Sequence, residues 1–281
     1  MLDDVLALLC CPHCRAALAP AVAGVACANG HSFDVGRPGY LSLLPGDARG
    51  ATADSADMVA AREAFLAAGH FDPQAEALAQ ACHEALADGP REGCVVDLGA
   101  GTGWYLARVL ERLPGRTGLA LDLSKHALRR AARAHPRIGA VACDAWRTLP
   151  VRDAVAALVL SVFAPRNGGE TARVLCRGGA LVVVTPTGRH LSELVAWLGL
   201  LSVDERKQER LSAKLDPHLR LEHRFEREWR LGLDREAVGN LVAMGPSARH
   251  SEPAELERRM GTLAEPARAG ASVTISVYRR P

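Results

Sequence analysis

Cys94-Val95-Val96-Asp97-Leu98-Gly99-Ala100-Gly101-Thr102-Gly103 is the stretch on which the fold turns. An apolar run that closes on alternating glycines reads as a buried strand entering a tight turn, and the pattern from Trp104 to Leu113 continues it as a helix. Glycines there let the backbone approach a ligand closely at the strand's carboxyl end. A lone motif of this kind is weak. It gains weight from a second apolar run, Thr117 to Leu121, which ends in Asp122. That places an acid about 20 to 25 residues beyond the glycines, where its carboxylate can accept hydrogen bonds from both ribose hydroxyls of a nucleoside ligand.

Downstream the pattern repeats. Ile138 to Ala142 is followed by Cys143-Asp144, a further carboxylate beyond a strand, suited to an adenine amino group. Val155 to Val162 ends in Phe163-Ala164-Pro165-Arg166-Asn167, then come a helix over Glu170 to Leu175, a turn at Arg177-Gly178-Gly179 and a strand over Ala180 to Thr185. Strands alternating with helices imply a parallel sheet wound on both faces, with ligands beyond the carboxyl ends of its strands. Leu219 to Leu233 and Ser272 to Tyr278 alternate apolar with polar residues, the first as a strand or bent hairpin, and predict an antiparallel closing pair. The expectation is an α/β, Rossmann-like class I methyltransferase domain with a mostly parallel seven-stranded sheet. No second dinucleotide-binding half is present, and Asp97 before the glycines favours S-adenosylmethionine over a dinucleotide, a distinction of family pattern as much as of physics: methyltransferase strands commonly carry an acid there, and S-adenosylmethionine has no pyrophosphate to seat on the helix N-terminus.

Upstream, Asp57 to Ala68 carries Met58, Ala61, Phe65 and Leu66 at helical spacing and is closed by Gly69, and a second helix is expected over Pro73 to Leu86. Gly46 to Ser55 lacks large apolar residues and reads as a linker. Before it, Cys11-Pro12-His13-Cys14 and Cys27-Ala28-Asn29-Gly30-His31 offer three thiols and an imidazole in two short pairs, the donor set of a closed tetrahedral zinc ribbon. Metal ligands are therefore expected at Cys11, Cys14, Cys27 and His31, with Cys10 and His13 as the neighbours most easily mistaken for them. The alternatives are that the four residues are incidental, or that Cys11 and Cys14 form a redox pair, although such pairs sit at a strand-to-helix junction of a larger fold. Phe33, Val35, Tyr40, Leu41 and Leu43 supply a small apolar core, and a core of that size needs a staple. The expected domains are 1–45 (zinc ribbon, RNA-binding), 46–55 (linker) and 56–281 (methyltransferase).

With 281 residues, 48% hydrophobic and 23% charged, the chain can bury a sizeable core. Four of the eight cysteines fall at positions 10, 11, 14 and 27, a local cluster unlike the disulfide framework of a short secreted chain. Asp3 and Asp4 stand where a signal peptide would carry positive charge, and no apolar span is long enough for a bilayer, so a cytoplasmic protein with no membrane partner is expected. The formal net charge of +2 argues against a protein that coats nucleic acid indiscriminately. It conceals a basic segment: from Ser124 to Arg152, Lys125, Arg129, Arg130, Arg133, Arg137, Arg147 and Arg152 face a single acid, Asp144. That segment reads either as a solvated helix face or as an RNA contact. From Leu201 to Glu228 acids match bases, which reads as surface ion pairs.

The Cys11/Cys14/Cys27/His31 ribbon, Asp57-Met58-Val59-Ala60-Ala61-Arg62 with Gly69-His70-Phe71, the segment Val96 to Gly103, Phe163-Ala164-Pro165, Thr185-Pro186 and Arg189-His190-Leu191 occur in that order. In this combination the chain resembles the RlmA family of 23S rRNA guanine-N1 methyltransferases over nearly its whole length, and Met244-Gly245-Pro246-Ser247 is similar to its macrolide-resistance (tylosin, mycinamicin) branch. The resemblance implies methyl transfer from S-adenosylmethionine to N1 of a guanine in a 23S rRNA hairpin near the peptide exit tunnel, by a homodimer whose ribbons help grip RNA. It implies cofactor contacts from Phe71, Thr102, Gly103, Asp122 and His190, which join Asp97, Gly99, Gly101 and Asp144 from the residue pattern. Phe71 serves equally as a core aromatic; His190 can be a surface residue at a helix N-terminus, but its position just beyond the Ala180 to Thr185 strand favours the cofactor side. Arg177 and Ala248 depart from the family pattern, the first standing where Pro is common and the second where a larger aromatic is. Arg166, Asn167, Arg189 and His190 are the candidates for assisting loss of the N1 proton, with no base assigned. Two other readings compete: a small-molecule methyltransferase, which has no need of the ribbon or the basic segment, and a zinc-dependent RNA-binding module without catalysis, which has no need of Asp97, Gly99, Gly101 and Asp122.

Overall fold

The computed structural model describes residues 2–37, 39–45, 53–164, 166–200, 213, 215–245 and 252–281. Most of the expected linker, Pro165, the first part of the charge-rich segment from Leu201, and Pro246, Ser247 and Ala248 lie outside the described residues.

The glycine-loop strand occupies the centre of the main sheet. This strand, β6 (Cys94–Leu98), is buried at every position. Burial on both faces is what a continuous apolar run in a parallel sheet requires. On one side lie β7 (Gly118–Asp122) and β8 (Ile138–Ala142), and on the other β9 (Ala156–Val162) and β10 (Leu175–Pro186), all parallel. β12 (Ala267–Arg279) runs antiparallel beside β10 and pairs along its length with β11 (Arg220–Leu233), the closing pair that the alternating segments predict. β11 is one long strand whose register slips between Leu221 and His223, rather than a bent hairpin. The Arg177-Gly178-Gly179 turn survives as an irregularity inside β10, where pairing with β9 shifts between Leu175 and Ala180 and Gly178 adopts φ +73°.

Helices α2 (Ala56–Ala67), α3 (Asp72–Ala87), α4 (Trp104–Arg112), α5 (Lys125–Ala134), α6 (Gly168–Val174), α7 (Ser192–Leu198), α8 (Arg235–Ala243) and α9 (Pro253–Met260) surround the sheet. Local chemistry sets several of their starts. The side chains of Ser55, Ser124, Asn167 and Asp234 accept the backbone N–H of Met58, Ala127, Glu170 and Ala237, satisfying donors that a helix N-terminus leaves free. Gly103, at φ +75°, opens α4, and a Cβ there would lie 2.9 Å from Cα of Ala131, so the glycine allows α4 and α5 to approach.

The methyltransferase domain supplies the seven strands expected, and among the described residues two more extend the sheet to nine. Two short strands, β4 (Val35–Gly36) and β5 (Tyr40–Ser42), come from the amino-terminal segment, with β5 parallel to β8 and Tyr40, Leu41 and Ser42 opposite Ala140, Val141 and Ala142. They cover an edge strand that is itself fully buried and that would otherwise present an open ladder. Tyr40, Leu41 and Leu43 therefore do not fill a core belonging to the ribbon alone. The ribbon proper is a three-stranded antiparallel sheet of β1 (Leu18–Ala21), β2 (Gly24–Cys27) and β3 (Ser32–Phe33). Its Leu18, Val25 and Phe33, with Val5, Leu6 and Leu9, share one apolar cluster with Val96, Leu98, Leu119 and Leu121 of the main sheet.

Helix α1 (Leu2–Leu6) is pressed onto β8, so that a Cβ on Gly139 would meet a Val5 methyl at 2.5 Å. We predict that Gly139→Ala destabilises the chain by about 1–3 kcal/mol through overpacking. Val5→Ala, made in the same chain, should recover much of that loss in urea denaturation. Strictly additive effects of the two substitutions would show that α1 does not lie against β8.

Candidate functional site

Two short turns bring the four expected metal ligands together. The Cys11 carbonyl accepts the Arg15 N–H at 2.8 Å and the Cys27 carbonyl accepts the Gly30 N–H at 3.0 Å, closing a tight loop around each ligand pair. Gly30, at φ +81°, takes the left-handed conformation between Cys27 and His31 that favours glycine. The sulfurs of Cys14 and Cys27 lie 3.7 Å apart, Nδ1 of His31 lies 3.3 Å from the Cys27 sulfur and 3.6 Å from that of Cys11, and all four donor atoms fall within 4.8 Å of one another. Tetrahedral zinc with bonds of about 2.3 Å to sulfur sets neighbouring donors about 3.8 Å apart. Three thiols and one imidazole therefore fit zinc in both chemistry and spacing. The Ala16 backbone N–H, followed by the Asn29 side chain, draws the Cys14 thiol down to about 6, favouring the thiolate a metal needs. Cys10 stands apart, its backbone donating to the Pro150 carbonyl, and burial raises its thiol. The His13 ring packs on His31 and Phe33 and takes no place among the four.

The ribbon is stitched to the loop after β8. Leu9 bridges Val151, the Leu8 carbonyl accepts the Arg152 N–H at 2.9 Å, and Arg15 pairs with Asp153 at 2.9 Å. Asp153 pairs with Arg173, which also holds Glu170, and Glu170 accepts the Leu149 N–H at 2.7 Å.

At the carboxyl edge of the sheet, Gly99, Gly101 and Gly103 adopt φ of 69°, 55° and 75°. Left-handed backbone at all three explains why glycine stands at each. The Gly99 and Ala100 N–H groups donate to the Leu121 carbonyl at 2.8 and 3.0 Å, folding the loop over the end of β7. Asp122 then locks it, one carboxylate oxygen accepting the Gly101 N–H at 2.8 Å and the other the Ser124 N–H at 2.7 Å. Burial pushes the Asp122 carboxyl up, while those two N–H groups hold it back. Asp97 is buried beneath the loop, and desolvation, then the charge of Asp122, raise its carboxyl well above the usual range. The open cradle of glycine backbone, with an acid at the end of the neighbouring strand, fits the nucleoside and amino-acid arm of S-adenosylmethionine. Thr102 is buried within the same turn. Asp144 lies beyond the next strand, accepting the Trp146 N–H at 2.9 Å and facing Arg147 at 3.6 Å.

Phe71 and His190 come together from distant parts of the chain, with ring centroids 6.0 Å apart. Phe71 is a core aromatic, 3% exposed and set edge-on to Phe65 and Trp229, so its packing role is plain whatever it touches at its His190 edge. His190 is half-buried, and its Nδ1 accepts the Ser272 N–H at 3.2 Å. In the neutral ring the proton then lies on Nε2, which makes that atom a donor. Its ring centroid also lies 5.9 Å from that of Phe163, at the carboxyl end of β9. Phe163 is 41% exposed with φ +53°. A bulky residue held in the left-handed region stores strain, and such strain clusters where a side chain must be aimed. Trp146 is 60% exposed beyond β8.

Of the other candidates for proton removal, Asn167 caps α6 and Arg189 pairs with Glu226 and Glu228. Arg166 has a buried Nε with no hydrogen-bond partner among the described residues, and burial lowers its guanidinium. The basic segment is less free than its composition suggests. Arg137 donates to the carbonyls of Leu110, Leu113 and Arg116 at the end of α4, Arg130 pairs with Glu63, and Arg147 faces Asp144. What α5 exposes on successive turns is Lys125, Arg129 and Arg133.

Sequence reasoning did not single out Arg62 of α2 for a role at this edge. One of its terminal nitrogens lies 2.8 Å from Asp54, the other donates to the Met244 carbonyl at 2.9 Å, and the guanidinium sits over Gly101. An arginine in an amphipathic helix has no signal in spacing that separates it from an ordinary solvated face.

Comparison with known proteins adds the context. A family profile described as "RlmA, N-terminal", a zinc ribbon, matches residues 9–50, and one described as "Methyltransferase domain" matches residues 95–179. The chain is 49% identical, over 99% of its own length and 99% of the relative's, to a candidate 23S rRNA (guanine-N1)-methyltransferase of Micromonospora griseorubida. It is 48% identical, with the same 99% coverage of both chains, to the 23S rRNA (guanine(748)-N(1))-methyltransferase of Streptomyces fradiae. Among solved structures, a candidate methyltransferase of Bacillus halodurans matches with TM-score 0.48 at 17% identity, over 72% of this chain and 98% of that one.

Because the ribbon shares its core with the sheet, metal removal should reach beyond the ribbon. The purified chain is expected to hold about one zinc, and Cys14→Ser to hold much less. Chelation should lower the midpoint of a single thermal transition followed by far-ultraviolet dichroism. A ribbon transition separate from an unchanged main transition would contradict the shared core.

Proposed function

The chain belongs to the 23S rRNA (guanine-N1)-methyltransferases, and from that premise we propose that it transfers the methyl group of S-adenosylmethionine to N1 of a guanine in 23S rRNA. The observation that carries this reading is end-to-end identity of 48–49% with relatives bearing that name, across ribbon and catalytic domain alike. Bound along the glycine loop, S-adenosylmethionine supplies a methyl group on a positively charged sulfur, open to in-line displacement. The chain's task is alignment and exclusion of water.

In this reading Asp122 has two duties. Each of its carboxylate oxygens keeps acceptor capacity beyond the single backbone N–H it already holds, so it can take ribose hydroxyls while anchoring the loop. Gly99, Gly101, Thr102 and Gly103 provide the close backbone, buried Asp97 supports the turn from below, and Asp144 faces the adenine side. Phe71 acts through packing, fixing the His190 ring. Phe163 offers its exposed face to the target guanine, which must leave any base stack to be reached. His190, with Nε2 as donor, orients groups beside it and does not accept the N1 proton in that tautomer. Exposed Lys125, Arg129 and Arg133 suit the phosphates of the RNA.

The finer expectations rest on the same resemblance. Among the described residues no helix is long and apolar enough to cross a membrane. A ribosomal RNA substrate places the working enzyme in the cytoplasm. The family pattern carries the division into ribbon, linker and methyltransferase domain, a homodimer, a target hairpin near the peptide exit tunnel and, through Met244 and the residues after it, macrolide resistance.

Incubation of the zinc-loaded chain with labelled S-adenosylmethionine and 23S rRNA fragments should place label on RNA and create a reverse-transcription stop at one guanine, because N1 methylation blocks Watson–Crick pairing. Label found on small metabolites and never on RNA would overturn the reading. Phe163→Ala should lower kcat/KM for RNA by about 5- to 150-fold, the range expected for loss of one base-stacking contact, with S-adenosylhomocysteine affinity unchanged. Equal activity in variant and wild type would remove Phe163 from the target site.

A further inference from the structure

The cofactor proposed above carries one anionic group, the α-carboxylate of its amino-acid arm. The edge that would receive it is acidic, with Asp54, Asp97 and Asp122 gathered around the glycine loop. The charge of Asp54 raises the carboxyl of Asp122, and the charge of Asp122 raises that of Asp97. A carboxylate entering such an edge needs a cation to meet it.

Arg62 places one there. It projects from α2, which packs against both α8 and α5 and so roofs the loop. A Cβ built on Gly101 would lie 3.3 Å from a terminal nitrogen of Arg62, so the guanidinium stands directly over the bare face that the glycine leaves open. Its charge reaches the floor of the site, lowering the carboxyl of Asp122 and the phenol of Tyr105 against the burial that raises both. The side chain is 29% exposed, so solvent and ligand can reach it. It is held in position from two directions, by Asp54 at 2.8 Å and by the Met244 carbonyl at 2.9 Å. Asp54 is itself fixed to the site, its backbone carbonyl accepting the Ser124 hydroxyl at 2.7 Å.

We propose that Arg62 is the receptor for the cofactor's α-carboxylate. A guanidinium carries five N–H donors in a planar fork matched to a carboxylate, and the Asp54 and Met244 contacts engage only part of that fork. The Asp54 carboxylate marks the geometry in which an anion meets it. The cofactor's carboxylate takes an equivalent position on the loop side of the fork, above Gly101. The bond to the Met244 carbonyl ties that contact to the segment after α8, so the amino-acid arm is gripped between the glycine loop and the α2–α8 roof. The inference rests on S-adenosylmethionine being the cofactor and is independent of which molecule receives the methyl group.

The test compares two ligands by calorimetry on the zinc-loaded full chain. S-Adenosylhomocysteine has the amino-acid arm, and 5′-methylthioadenosine lacks it. Arg62→Met should weaken S-adenosylhomocysteine about 10- to 100-fold, the range for losing a charge-assisted pair, and leave methylthioadenosine within about twofold. Arg62→Lys, which keeps the charge but not the fork, should fall between wild type and Arg62→Met. It also decides the question by the same ligand comparison if the methionine variant fails to fold. Equal weakening of both ligands would show that Arg62 acts through the roof and not on the carboxylate, and unchanged affinity for both would remove it from the site. If wild type binds neither ligand, the cofactor assignment fails and this inference with it. Binding of both without any RNA methylation would refute the rRNA reading alone.

Discussion

The functional edge of this protein hangs on one carboxylate. Asp122 ends β7 and accepts one N–H from the glycine loop that ends β6 and another from the first turn toward α5. Left without that acceptor, a buried Gly101 N–H would cost about 1–3 kcal/mol. The parallel register brings the acid there. Asp97 stands opposite Ala120 and Leu98 opposite Leu121, so the loop and Asp122 leave their strands at the same height. The same group that shapes the loop is, in the proposed reading, the one that takes the ribose hydroxyls, so one carboxylate serves both the fold and the ligand.

The second constraint comes from the amino terminus. The zinc ribbon is an insertion into the same apolar core, with β5 extending the sheet and Leu9 pairing with Val151. A Cys3His site of this spacing is closed, with no position left for a substrate, so the metal acts through structure. What it steadies includes the segment from Leu149 to Asp153, which follows Asp144 and Trp146 and is clamped by the Arg15–Asp153–Arg173–Glu170 chain of charges. The metal site and the glycine-loop strand are joined through one apolar core.

Much of this was legible in the amino-acid sequence, and for identifiable reasons. The five parallel strands from β6 to β10 are largely apolar runs, most of them stopped by glycine, acid or proline, which is how a strand buried on both faces reads. The zinc ligands were legible because coordination chemistry demands both residue type and spacing. β4 and β5 were not, since segments of two or three residues carry no usable periodicity and their partner is an edge about a hundred residues away. Charge counting failed at Arg137, because composition cannot distinguish a cation exposed to a phosphate from one consumed in capping α4. Arg62 was hidden for the same reason in reverse: its significance depends on Gly101 and Met244, neither of which is near it in sequence.

Amide hydrogen exchange in the zinc-loaded, cofactor-free chain tests the role of Asp122 most directly. In Asp122→Ala the Gly101 and Ser124 amides should exchange orders of magnitude faster than in wild type, while the amides of β6 and β7 keep their protection. Unchanged protection at Gly101 would contradict the account, because the loop would then hold its shape without the carboxylate on which the site is argued to depend.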